Sequence, residues 1–118
     1  MGSVNTHRDL QIWQKSMKLV TIIYEVTSRY PDSEKFGLSS QIRRAAVSVP
    51  ANIAEGFGRK SSGDFKRFLN ISMGSLFELQ TELEISKNLS LINVDEFAEV
   101  YEFTREIERM MSSFIRTL

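Results

Sequence analysis

The sequence predicts an all-α fold: an antiparallel up-and-down four-helix bundle whose second helix is bent at Pro50. Three observations point there. Four stretches carry apolar residues three and four apart, the spacing of a helix face. Short turn- or cap-rich connections separate them, which favours antiparallel neighbours. No stretch keeps the strict apolar–polar alternation of a half-buried strand. With 118 residues the chain can build one domain around one core. Residues 1–7 read as a flexible N-terminal segment and residues 8–118 as the bundle domain.

The first helix is expected from Leu10 to Tyr30. One apolar row runs Leu10, Trp13, Met17, Val20, Tyr24 and Thr27; a second runs Ile12, Leu19, Ile23, Val26 and Tyr30. At 100° per residue the two rows cover an arc of roughly 240°, well beyond the roughly 100° stripe that covers one core. Either the helix is deeply buried in its own bundle, or one side is covered by another copy. On the second reading the interface candidates are Ile12, Leu19, Ile22, Val26 and Tyr30, with Trp13 as a core or interface anchor. Large exposed apolar patches usually mark contacts, so self-association is the preferred expectation.

The second helix, Leu38 to Phe57, has Ser39 or Ser40 as its expected cap and Ile42, Ala45, Ala46, Val49, Ile53 and Phe57 on its apolar face. Pro50 cannot donate to the Ala46 carbonyl, and its ring presses on that carbonyl. The helix therefore bends there, or stops and restarts. The bend either wraps the helix round the core or leaves a carbonyl and Asn52 for a partner. Gly56 and Gly58 are expected to end the helix in the left-handed conformation.

The third helix, Asp64 to about Leu89, carries a stripe of Phe65, Phe68, Leu69, Leu76, Leu79 and Leu83, with Ser61 or Ser62 as its cap. The fourth, about Asp95 to Leu118, carries Phe97, Val100, Tyr101, Thr104, Ile107, Met111, Phe114 and Leu118 on one side. Asn93 and Glu96 have capping-box spacing.

Composition removes several function classes. The chain has no cysteine, so disulfides and thiolate nucleophiles or metal ligands are absent. The one histidine, His7, lies in a polar stretch and reads as solvated. No metal site and no cofactor is expected. Glu78 and Glu82, and the acids of the fourth helix, read as a solvated helix surface. Nucleotide hydrolysis fails on the motif: Arg59 stands where a phosphate loop needs its second glycine, and a helix rather than a strand precedes it. The parts of an enzyme are missing. No apolar run approaches the roughly 20 residues of a membrane span, so a cytoplasmic protein without membrane contact is expected.

Charge is balanced overall, with 15 basic and 15 acidic residues. Locally it is not. Residues 41–68 carry six cations, Arg43, Arg44, Arg59, Lys60, Lys66 and Arg67, against two acids; residues 69–118 carry four cations against nine acids. The six cations are the candidate contacts for RNA or DNA phosphates. Equally, a basic second helix can meet an acidic fourth helix across a subunit contact, or both can be solvated faces.

Arg8-Asp9-Leu10 with Ile12-Trp13-Gln14-Lys15, the run Leu38 to Ala46, the run Val49 to Gly56, and Phe68-Leu69 with Gly74 to Leu79 together form a pattern. It resembles the bacterial four-helix-bundle proteins encoded in intervening sequences of 23S ribosomal RNA genes. The resemblance implies a homopentameric ring. It also implies similarity to the accessory subunit of diversity-generating retroelements, a basic pentamer that works with a reverse transcriptase and nucleic acid. This chain departs from that subunit in being neutral. Two functions are therefore expected: a non-enzymatic oligomer contacting structured RNA or DNA, or a scaffold for another protein with no direct nucleic-acid contact.

Overall fold

Four helices pack in the order of the chain: α1 (Gln11–Thr27), α2 (Leu38–Phe57), α3 (Ser62–Asn88) and α4 (Val94–Ile115). The computed structural model describes residues 3–118, and among them there is no strand. Each helix packs on its neighbour in sequence, and α4 closes the bundle against α1. The bundle measures 43 × 25 × 19 Å. Up-and-down order puts the α1–α2 and α3–α4 connections at one end and the α2–α3 turn at the other.

Met1 and Gly2 lie outside the described residues. Within the segment expected to be flexible, Asn5 and Thr6 are hydrogen-bonded: the Thr6 hydroxyl accepts from Arg8 N–H, and Asp9 accepts from the Asn5 and Thr6 amides at 2.9 and 3.0 Å. This caps a 3-10 turn at His7–Asp9. His7 then sets its ring edge-on to Trp13, 5.0 Å between centroids. Those backbone amides hold the Asp9 carboxyl below the usual carboxylate range.

The two rows of α1 are placed opposite to expectation. Ile12, Leu19, Val26 and Tyr30 are buried in the chain's own core, and Ile22 is half-buried against it. They are not a surface left over for a partner. The reason is the number of neighbours: α1 is flanked by the N-terminal 3-10 turn, α2 and α4, so it hides more than one stripe. What it leaves exposed belongs to the other row, Met17 and Tyr24.

α2 and α3 form the most extensive pairing in the bundle, because their facing residues are small. A Cβ added at Gly56 would meet Phe68 Cβ at 2.7 Å and the Phe65 carbonyl at 3.2 Å. Thus Gly56 is a contact residue, not a stop; Gly58 follows with φ −76°, and no described glycine has positive φ. The Ser72 hydroxyl donates to the Val49 carbonyl at 2.7 Å, and the Ser48 and Ser75 hydroxyls meet at 2.8 Å. α2 runs unbroken through Pro50, so it does not stop and restart. Asn52 turns its amide inward, donating to the Ser48 carbonyl and hydroxyl, both at 2.9 Å. Its two donors are used within the chain.

Caps were legible at two helices. Ser61 accepts from Asp64 N–H at 3.1 Å, and Asn93 from Glu96 N–H at 2.7 Å. At α2 neither Ser39 nor Ser40 caps. The helix opens at Gly37, and the Glu34 carboxylate accepts from the Leu38 amide at 3.2 Å.

Candidate nucleic-acid interface

The six candidate cations do not form one surface. Arg59, Lys60, Lys66 and Arg67 meet at the α2–α3 turn. Arg43 and Arg44 lie toward the other end of α2, sixteen residues back, or about 24 Å along the axis. Between them the outer side of α2 presents Val47, Ala51 and Glu55.

The corner is built round Phe68. The Arg59 guanidinium lies 4.7 Å from its ring centroid and that of Arg67 lies 4.6 Å away. Both are within cation–π range. The short turn between Gly58 and the Ser61 cap brings the two arginines to the same ring. Arg59 also pairs with Glu55 at 2.8 Å, and Arg67 with Asp64 at 3.8 Å. Lys60 and Lys66 are exposed and enter none of the ion pairs among the described residues. The corner therefore keeps a net positive charge, with two of its four cations held in place before any ligand arrives. Helical periodicity marks Phe68 only as a residue of the apolar stripe; its neighbour Arg67 is the local signal for the rest.

At the other end Arg43 stacks on Tyr24, 4.4 Å from the ring centroid, and donates through Nε to the Thr27 hydroxyl at 2.8 Å. Arg44 is exposed. Together with Lys35, Phe36 and Val47 these residues wall a groove of about 630 Å³ between α1 and α2. Phe36 is 92% exposed. A second, more apolar groove of about 590 Å³ lies between the N-terminal turn and α4, and contains none of the six cations.

The acids of α4 are not a uniform solvated face. Glu106 pairs with Lys15 at 2.7 Å and Glu96 with Arg29, tying α4 to α1. The Lys15 contact holds the Glu106 carboxyl below its usual range. Glu102 pairs with Arg109 at 2.9 Å and Glu108 with Arg105 at 3.4 Å. Asp95 and Glu99 enter none of the ion pairs among the described residues.

Glu82 corrects the surface reading of α3. It is 6% exposed, and its Oε1 has no hydrogen-bond partner. Burial, reinforced by a hydrogen bond and repulsion from Glu78, pushes its carboxyl up to about 7. Among the described residues Tyr30 is the other buried side chain with an unpartnered polar atom; burial pushes its phenol up, only partly offset by the nearby Ser86 hydroxyl.

No cluster of three or more His, Asp or Glu side chains able to hold a metal occurs among the described residues. Among the described residues no helix is long and apolar enough to cross a membrane. Among curated proteins none matches the chain significantly. A solved structure from Bacteroides thetaiotaomicron VPI-5482, described as a protein of unknown function from the S23 ribosomal protein family, is similar at 27% identity and TM-score 0.82. The likeness covers 88% of this chain and 97% of that one. The family model of 23S rRNA-intervening sequence proteins matches residues 8–113, and the chain belongs to that family.

Proposed function

We propose that the protein is a non-enzymatic helical bundle that assembles with copies of itself and contacts structured RNA through the α2–α3 corner. One observation carries the RNA reading. Arg59 and Arg67 both stack on the ring of Phe68, beside Lys60 and Lys66, which enter none of the ion pairs among the described residues. Ordering a free arginine costs about 2 kcal/mol of side-chain entropy, and stacking reduces what remains to be lost on binding. Such contacts grip phosphate and give affinity with little sequence choice. The family description names the intervening sequence of 23S rRNA, so RNA of that structured kind is the first substrate to try. No cofactor and no membrane is needed.

The second reading is a protein-interaction scaffold, a homopentameric ring with no direct nucleic-acid contact. It is favoured by the net charge of zero and the separation of Arg43 and Arg44 from the corner.

Fluorescence anisotropy with a labelled intervening-sequence RNA hairpin distinguishes them. Four phosphate contacts would weaken binding roughly 100-fold between 50 and 200 mM salt. Arg59→Glu with Lys60→Glu should abolish binding at 50 mM while leaving the circular dichroism spectrum unchanged. A parent protein that does not bind at 50 mM salt leaves the scaffold reading in place.

A further inference from the structure

We infer that the groove between α1 and α2 seats the α3–α4 corner of a second copy of this chain, in a head-to-tail contact repeated from copy to copy. The inference rests on the self-assembly reading above and adds which surfaces meet.

The two surfaces match in apolar content. Phe36, at 92%, and Val94, at 68%, are the two most exposed large apolar side chains described; Leu89, at 59%, is the third. Phe36 stands on the groove wall with Tyr24 and Val47. Leu89 and Val94 flank the turn between α3 and α4. Neither set is spent on the core, and each is confined to one of the two sites.

They also match in charge. The groove is lined by Lys35, Arg43 and Arg44 against the single acid Asp32. None of the three cations enters an ion pair among the described residues. The corner presents Asp95 and Glu99, likewise unpaired, and no cation lines the shallow pocket they form with Asn93, Val94 and Glu96. The helix dipole accounts for an acid in the first turn of α4; it does not account for Glu99 or for the bare Val94. Groove against groove would oppose like charges, so a symmetric pairing of either surface with itself is disfavoured.

Groove and corner lie at the same end of the bundle, as the Arg29–Glu96 pair between the end of α1 and the start of α4 shows. A contact between these two different patches is heterologous: it closes a ring where the rotation from copy to copy divides a full turn, and builds a filament where it does not.

The test uses Val47→Asp, which spoils the groove, and Val94→Lys, which spoils the corner. Both positions are exposed, so the thermal midpoint should stay at the parent value. In sedimentation velocity at micromolar concentration the parent should be oligomeric and each variant monomeric, with at least 10-fold weaker association. Mixed in equal amounts, the variants should form a dimer and nothing larger, since only one good groove and one good corner remain per pair. Arg44→Glu serves as a second groove variant. A monomeric parent overturns the inference together with self-assembly. An oligomeric parent unaffected by either substitution overturns only the assignment of surfaces, as do variants that stay monomeric when mixed. Loss of RNA hairpin binding in Val47→Asp with assembly unchanged gives the groove to nucleic acid and overturns the inference too.

Discussion

At the scale of single residues, two glycines in similar helices have opposite meanings. Alanine in place of glycine stabilises a helix by up to about 1 kcal/mol. At Gly74 nothing lies within 4 Å of an added Cβ, so Gly74→Ala should gain about that amount in urea unfolding. At Gly56 the added carbon meets Phe68 Cβ at 2.7 Å, and overpacking costs about 1–3 kcal/mol. The clash should win, and Gly56→Ala should lose about 1 kcal/mol or more. The sequence shows both as glycines near small residues; only the distance between α2 and α3 separates them. Glu82 was illegible for a similar reason. Its spacing from Glu78 is that of a solvated pair, yet the fold buries it. With its folded pKa raised to about 7 from 4.5, the folded chain holds a proton that the unfolded chain releases. Its contribution is therefore fully present below pH 4.5 and is lost as pH rises through about 7. Glu82→Gln should raise the thermal midpoint at pH 8 and change it little at pH 4. Equal shifts at both pH values would show that Glu82 does not titrate in this way.

At the scale of helices, starts were more legible than ends. Ser61 and Asn93 act through their own side chains on amides three residues ahead, a strictly local device. The start of α2 depends on Glu34, which reaches Leu38 from a separate 3-10 turn, so serines inside the first turn misled. The end of α3 uses Ser90 at φ 61°. Ser90 N–H donates to the Lys87 carbonyl at 3.0 Å and Leu91 N–H to the Ser86 carbonyl at 2.9 Å. This is the paired closure normally made by glycine. A residue with a Cβ is strained there by about 1 kcal/mol. Ser90→Gly removes that strain at an exposed site and should raise the thermal midpoint by about 4 °C. An unchanged or lower midpoint would mean that the added freedom of the unfolded glycine cancels the relief. The α1 rows teach the same lesson at greater length. Periodicity says that both are apolar, but not which one the neighbouring helices cover. The covered row is mostly aliphatic, with Ile12, Leu19, Ile23 and Val26. The half-open row holds Trp13, Met17 and Tyr24, side chains that tolerate partial exposure.

At the scale of the whole molecule, four amphipathic stretches and short turns were enough for the fold class, because a bundle is the economical way to hide four stripes at once. The cationic site was legible only as a list. Residues adjacent in the tally, Arg44 and Arg59, are parted by a helix length, and Phe68 joins Arg59 to Arg67 across a turn that periodicity does not describe. The inward turn of α1 also changes what a charge on it would do. Leu19 has no exposed surface. An aspartate there loses a packed leucine, worth about 2–5 kcal/mol, and must either be desolvated or carry a proton at further cost. A domain of this size has roughly 5–15 kcal/mol in total. Leu19→Asp should therefore melt far below the parent or fail to fold, with loss of helical circular dichroism before any change in association is readable. Val47→Asp, on a side chain 43% exposed, should stay within about 0.5 kcal/mol of the parent and act on association alone. The pair separates burial within one copy from burial between copies. If Leu19→Asp kept the parent melting curve and altered only the sedimentation coefficient, the row containing Leu19 would face a neighbouring copy, and the single-copy core would have to be rebuilt around Met17 and Tyr24.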